Sequence, residues 1–330
     1  MKILYAIQGT GNGHLARAMD VIPCLKKHGK VDLLVSGTQA DIELPYPIKF
    51  RCQGLGFIFG ESGGVDIWKT IGKSNILRLI KEIKKLPVNQ YDLVISDFEP
   101  VSSWACRFKK KPCVGLSHQI AVTHRKAPKS GKRDFLGSAI LRYYAPCKYP
   151  YGFHFKAYAP TIYTPVIREQ VRREYPEDKG HYSVYLPAYS DELLISFLSR
   201  FPDISWEVFS KHNHKPKVVG NIRIWPVSND AFIKSMATST GVLCGAGFET
   251  PAEALYLGKK VLVIPMTNQY EQHLNAAALQ EMKVPVIYNL NHKNEKQVRE
   301  WLDDPSTLKV HYTDHIQEIV DQIVFKHAGS

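Results

Sequence analysis

Short apolar runs alternate along the chain with longer stretches whose apolar positions return at helical spacing, and the alternation occurs twice. Lys2–Ile7 reads as a strand running into the turn Gln8-Gly9-Thr10-Gly11-Asn12-Gly13-His14. A helix follows from about Leu15 to Lys27, with Pro23 inside it and Gly29 beyond its end. Val31–Ser36 is the next strand, and a loop-rich passage with Pro45 and Pro47 extends to Gly64. Ile76–Leu86 is an amphipathic helix with Lys81, Lys84 and Lys85 on its polar side. Leu93–Ser96 is a strand ending in Asp97-Phe98-Glu99-Pro100, Ser102–Phe108 a helix, and Cys113–Leu116 a strand ending at Ser117-His118-Gln119. Thr123–Arg133 is polar and basic, an exposed loop, and an aromatic-rich stretch from Tyr143 to Tyr163 follows it.

The second series begins with a strand at Tyr182–Leu186, a helix at Glu192–Arg200 and a strand at Trp206–Phe209. An extended segment at Val218–Ile224 and a helix at Asn229–Thr238 come next. Gly241–Ala276 then reads as strand, glycine loop, helix, strand, polar loop and helix. Thr250-Pro251-Ala252-Glu253 has the form of a capping box with proline at the first helical position. A last helix covers about Asp314–Phe325. Strands alternating with helices predict an α/β protein of two Rossmann-like, doubly wound domains. The expected division is residues 1–166, residues 167–312, and a terminal segment 313–330 packing back toward the first domain.

The 330 residues, 44% of them hydrophobic, suit two cores of ordinary size. No apolar run approaches the ~20 residues that span a bilayer, and the N-terminus turns polar at Gln8, too early for a signal-peptide core. Six cysteines without metal spacing suggest a reduced, cytoplasmic protein. The net charge of +12 is uneven: residues 1–165 carry 25 Lys and Arg against 11 Asp and Glu, and the remainder 18 against 20. An anionic partner is therefore expected on the first half alone.

The first glycine turn lacks the G-x-G-x-x-G spacing, and no acidic residue ends the second strand, so the signal for NAD is weak. His14 stands at the carboxyl end of the first strand, where open α/β sheets bind ligands, and imidazole suits a general base. It could equally bond its own loop. Asp97 ends another strand and could orient His14 or cap the following helix, with Glu99 a competing carboxylate. In the second half, the small-residue loop Cys244-Gly245-Ala246-Gly247 before a helix start suits a phosphate, or is an ordinary βα turn.

Taken together these two ends resemble the GT-B glycosyltransferases, in particular those using UDP-sugars and the enzyme that adds N-acetylglucosamine to the lipid-linked peptidoglycan precursor. The residues that carry the likeness are the glycine loop with His14, Ser96-Asp97-Phe98, and Gly247, Thr250 and Glu253. Gly258 and Glu271-Gln272-His273-Leu274-Asn275-Ala276 complete it. The resemblance implies two domains facing across a cleft and an inverting transfer from a nucleotide-sugar. It implies His14 as base and Asp97 as its orienter. Gly245, Gly247 and Thr250 would meet the diphosphate and Glu253 the ribose, unless Glu253 is a cap. Glu271 and Gln272, or Asn268 and Gln269, would read the sugar, and Ile222 and Ser228 the nucleobase. Gly11, Asn12, Gly13, Glu99, His118 and Gln119 would lie on the acceptor side. No metal and no cofactor beyond the nucleotide-sugar co-substrate is implied. Gly245 stands where plant relatives carry a phosphate-binding histidine, Glu271 where aspartate is usual, and Lys260 where proline is usual.

For the acceptor, Lys109-Lys110-Lys111 and the Thr123–Arg133 loop precede Phe135, Leu136, Ile140, Leu141, Tyr143 and Tyr144. Basic and apolar residues together suit peripheral contact with an anionic membrane and a lipid-linked acceptor, though a glycan or small-molecule acceptor stays open. No nucleic-acid module is recognised. A UDP-sugar epimerase on the same fold and a non-catalytic sugar-nucleotide or glycan-binding protein are the alternative readings.

Overall fold

A computed structural model describes residues 1–37, 44–54, 76–131 and 134–329. The first series of elements is β1 (Lys2–Gln8), α1 (Asn12–Lys26), β2 (Lys30–Ser36), β3 (Ile48–Cys52), α2 (Ile76–Lys85), β4 (Leu93–Asp97) and α3 (Pro100–Phe108). It continues with β5 (Val114–Leu116), α4 (His118–Thr123), α5 (Phe135–Tyr143), β6 (Tyr149–Phe153) and β7 (Ile162–Tyr163). Among the described residues these strands form one parallel sheet in the order β3-β2-β1-β4-β5-β6-β7. β1 and β4 are buried almost throughout, because helices cover both faces of a parallel sheet and leave no polar face to alternate.

A short helix α6 (Glu169–Arg172) leads into β8 (His181–Tyr185), α7 (Asp191–Leu198), β9 (Ser205–Ser210), β10 (Lys217–Val219), β11 (Ile222–Pro226) and α8 (Asn229–Thr238). Then come β12 (Gly241–Gly245), α9 (Glu249–Tyr256), β13 (Lys260–Ile264), α10 (Tyr270–Glu281), α11 (Glu295–Asp303) and α12 (Ile316–His327). The second sheet has the order β10-β11-β9-β8-β12-β13, parallel except for β10. Each sheet reverses its winding once, between β1 and β4 and between β8 and β12. Such switch points are where doubly wound sheets open a crevice for ligands.

The last helix lies on the first half. α12 buries Ile316, Ile319, Val320, Ile323 and Val324. His28 Nε2 meets Asp321 Oδ1 at 2.6 Å, and the Tyr163 hydroxyl donates to Gln322 Oε1 at 2.7 Å.

Several elements differ from expectation. α1 begins at Asn12 rather than Leu15. The passage after β2 contains the strand β3, whose Lys49 and Arg51 face outward at the sheet edge and break the apolar run; the expected loop from 55 to Gly64 lies outside the described residues. The aromatic stretch supplies β6 and β7, despite Pro150 and Pro160. Val218–Ile224 is a hairpin of β10 and β11 folded at Gly220, whose φ of 58° lies in the left-handed region. The capping box at Thr250 is not formed. α9 starts at Glu249, and its cap position, Phe248, makes no side-chain cap bond.

Candidate active site

In the first sheet Ile7 of β1 lies directly beside Asp97 of β4, so the two strands end side by side. Gly11, at φ 92°, turns the chain into α1 and sets His14 in its first turn. His14 Nδ1 meets Asp97 Oδ1 at 2.7 Å, with Asp97 fully buried and the His14 side chain 12% exposed. An Nδ1–H donated to the carboxylate leaves Nε2 as the proton acceptor. Nε2 lies 3.4 Å from Gln119 Nε2, which also donates to Glu271 Oε2 at 3.1 Å.

One helical turn after His14, Arg17 grips the same carboxylate. Its Nε donates to Oδ2 at 3.1 Å, and its second terminal nitrogen to Oδ1 and Oδ2 at 2.8 Å each. Burial alone would raise the Asp97 carboxyl, but Arg17 and His14 outweigh it and hold the group below the usual carboxylate range. The other terminal nitrogen of Arg17 reaches Glu249 Oε1 at 2.7 Å, in the first turn of α9.

Phe98, between Asp97 and Glu99, has φ 54°, an uncommon conformation for a bulky residue. Two features hold the turn. The Ser96 hydroxyl donates to the Glu99 carbonyl and accepts from the Glu99 N–H, each at 3.0 Å. The Glu99 carboxylate caps α3, accepting from the Val101 and Ser102 N–H groups at 2.7 and 2.6 Å. Of the two competing carboxylates, Asp97 meets His14, while Glu99 is spent as a cap, fully buried and away from the cavity lining.

A cavity of about 440 Å³ lies between the two sheets. From the first half it is lined by Gly11, Gly13, His14, Arg17, Phe98, His118, Gln119 and the α5 side chains Leu136, Ile140 and Leu141. From the second half come Gly247, Phe248, Glu249, Asn268, Gln269, Tyr270, Glu271 and Gln272. Both candidate sugar-reading pairs therefore reach it. Gln272 Oε1 is held by the Met266 N–H at 2.9 Å. The side-chain oxygens Gln119 Oε1 and Gln269 Oε1 are buried and have no hydrogen-bond partner.

His118 joins the two halves. Its Nδ1 lies 2.8 Å from the Phe153 carbonyl and its Nε2 2.7 Å from Asn275 Oδ1, and its ring stacks on Phe248 at 3.8 Å. Asn275 in turn donates to the Ala246 carbonyl at 3.1 Å, so the glycine loop after β12 is tied to the end of β5.

Other expected residues are not in the lining. Gly245 ends β12, Thr250 is half-buried in α9, and Asn12 opens α1. Ile222 is buried within β11, and Ser228 is exposed at the start of α8 without capping it. Glu253, 1% exposed, is gripped by Arg168, whose Nε and one terminal nitrogen donate to its two oxygens at 2.6 and 2.7 Å. That fork, and not a capping box, occupies the carboxylate. Arg168 also donates to Asn229 Oδ1 at 2.6 Å. Sequence reading missed Arg17, Glu249 and Arg168, which stand alone in sequence with no spacing to mark them. Among the described residues no group of three or more His, Cys, Asp or Glu could hold a metal ion.

Comparison with known proteins adds the family. The model for glycosyl transferase family 1 matches residues 1–304, nearly the whole chain. The chain belongs to this family. The protein is thus a glycosyltransferase, with the GT-B architecture that its two sheets display. Its fold is similar to that of MurG from Acinetobacter baumannii, at 13% identity and a TM-score of 0.59 over 97% of this chain and 99% of that one. The UDP complex of Arabidopsis thaliana UGT89C1 is similar too, at 12% identity and a TM-score of 0.58, covering 99% of this chain and 94% of that one. The glycosyltransferase of kitacinnamycin gives 11% identity and a TM-score of 0.59, covering 99% and 96%. No curated protein matches the chain by sequence. No helix of the described glycosyltransferase is long and apolar enough to cross a membrane.

Proposed function

We propose that this glycosyltransferase is an inverting enzyme that moves a sugar from a UDP-sugar or a related nucleotide-sugar to an acceptor hydroxyl. The observation that carries the reading is the His14–Asp97 pair facing the glycine loop before α9 across one cavity. The acceptor hydroxyl gives its proton to His14 Nε2 as its oxygen attacks the anomeric carbon. The bond from that carbon to the phosphate oxygen breaks, and the nucleoside diphosphate leaves toward α9. Backbone N–H groups and the positive end of the helix dipole suit the charge gathering on the leaving oxygen, without requiring a metal. The unpartnered oxygens of Gln119 and Gln269 suit hydroxyl donors of a sugar. The UDP bound to the Arabidopsis structure supports a uridine donor.

The acceptor is proposed to be lipid-linked and presented at an anionic membrane. Leu136, Ile140 and Leu141 form an apolar wall of the cavity, and the same helix exposes Phe135 and Tyr143, with exposed Arg125 and Lys126 just before it. A transfer assay tests both parts. UDP-, GDP- and dTDP-sugars are offered with polyprenyl-phosphate-linked acceptors in anionic or neutral vesicles, and the product anomer is read by NMR. The expected product has the anomeric configuration opposite to the donor and forms faster on anionic vesicles. A product with retained configuration would refute the inverting step, and equal rates on both vesicles would refute the membrane contact.

A further inference from the structure

Arg17 is shared by two carboxylates from opposite halves of the molecule. Its Nε and one terminal nitrogen hold Asp97, on the acceptor-side sheet, and its remaining terminal nitrogen holds Glu249, on the loop-helix junction of the other half. Arg17 is 3% exposed and Glu249 24%. The planar guanidinium carries five donors in a rigid fork, so it can meet both at once, which a lysine ammonium cannot do with fixed geometry. The glycine turn permits the approach. A Cβ on Gly13 would lie 3.1 Å from the Glu249 carboxylate, so the two loops are almost in contact here.

We propose that the Arg17–Glu249 pair is a pin across the cleft that fixes the phosphate-facing loop in register with the His14–Asp97 base, making Arg17 and Glu249 positioning residues. The inference rests on the glycosyltransferase reading of the cleft. Its physical basis is the difference between the two contacts of Arg17. Asp97 lies on the same half, with β4 beside β1, so its bond to Arg17 survives any opening of the cleft. Glu249 lies on the other half, so its bond exists only when the halves are together. The pin therefore forms in the arrangement that brings the base and the leaving group into reach, and a small misplacement of reacting groups is costly in rate. Arg17 also offsets the negative charge that Glu249 would otherwise set beside a departing diphosphate.

The test uses Glu249→Ala and Glu249→Asp in the full-length protein. Both leave the Arg17–Asp97 pair intact and alter a side chain that is partly solvated. Glu249→Ala is expected to lower kcat by at least ~10-fold with donor KM raised by no more than about threefold. Small-angle scattering of the free protein is expected to show a larger radius of gyration than wild type. Glu249→Asp keeps the charge and is expected to recover part of both effects. A wild-type kcat for Glu249→Ala overturns the proposal, as does a raised donor KM with kcat unchanged. If the wild-type protein transfers no sugar, the reading of the cleft fails, while the scattering comparison still decides the pin: an unchanged radius of gyration overturns it.

Discussion

Replacing His14 by alanine is expected to lower the rate of sugar transfer by at least ~10², with nucleotide-sugar affinity changed by no more than about threefold. His14 Nδ1 is committed to Asp97 at 2.7 Å, so only Nε2 is available on the cavity side. The glycine loop before α9 lies on the other half, tied back by Asn275 and His118 rather than by His14. Removing the imidazole therefore takes away the proposed proton acceptor and leaves the glycine loop in place. Rates under saturating donor, together with a calorimetric titration of the same donor, separate the two quantities. A variant that keeps its kcat would remove His14 from the chemistry. Asp97→Asn serves as a companion: a neutral amide keeps the shape, and a lost rate there would follow from the wrong imidazole tautomer.

The second large effect is on stability. Arg17→Met removes the cation that offsets the fully buried Asp97, and breaking such a pair from one side costs about 3–5 kcal/mol. The cost depends on pH, and its direction follows from the Asp97 carboxyl. In the wild-type protein that carboxyl is held below its ordinary range, so it contributes stability above the unfolded value of ~4 and loses it as pH falls through the lower folded value. Without Arg17 only His14 opposes the burial, and the balance moves toward the neutral acid. The gap between variant and wild type should then be widest near pH 7 and narrow as pH falls below ~4. Urea unfolding at both pH values measures it, with a domain-resolved probe because two halves need not unfold as one. A gap that stays constant across this range would show that Arg17 stabilises the fold through something other than Asp97.

Much of the architecture was legible because parallel strands covered on both faces are near-continuous apolar runs. Lys2–Ile7 and Leu93–Ser96 announce themselves in that way. β3 did not, since Lys49 and Arg51, two of its five residues, are exposed at the sheet edge. The hairpin at Gly220 was hidden because its two arms read as one extended segment. At the site, His14 and Asp97 could be found from their positions at strand ends, together with the family resemblance. Their company could not. Arg17 and Glu249 are 232 residues apart, and Arg168 and Glu253 are 85 apart, so no local spacing records either pair. The capping-box pattern at Thr250 and Glu253 pointed instead to a local role for a carboxylate that the fold uses over long range.

The proposed function requires the glycine loop before α9 to receive the leaving diphosphate. Gly247 allows a direct test, because a Cβ there would meet nothing within 4 Å and its backbone is not in the left-handed region. Gly247→Asp should therefore fold normally and set a carboxylate where the diphosphate is expected. Calorimetric titration of wild type and Gly247→Asp with UDP, GDP and dTDP is the deciding measurement. The wild-type protein is expected to bind at least one of them, and Gly247→Asp to weaken that binding by at least ~10-fold, about 1.4 kcal/mol, with its unfolding midpoint unchanged. Equal affinity in the two proteins would contradict the proposed function.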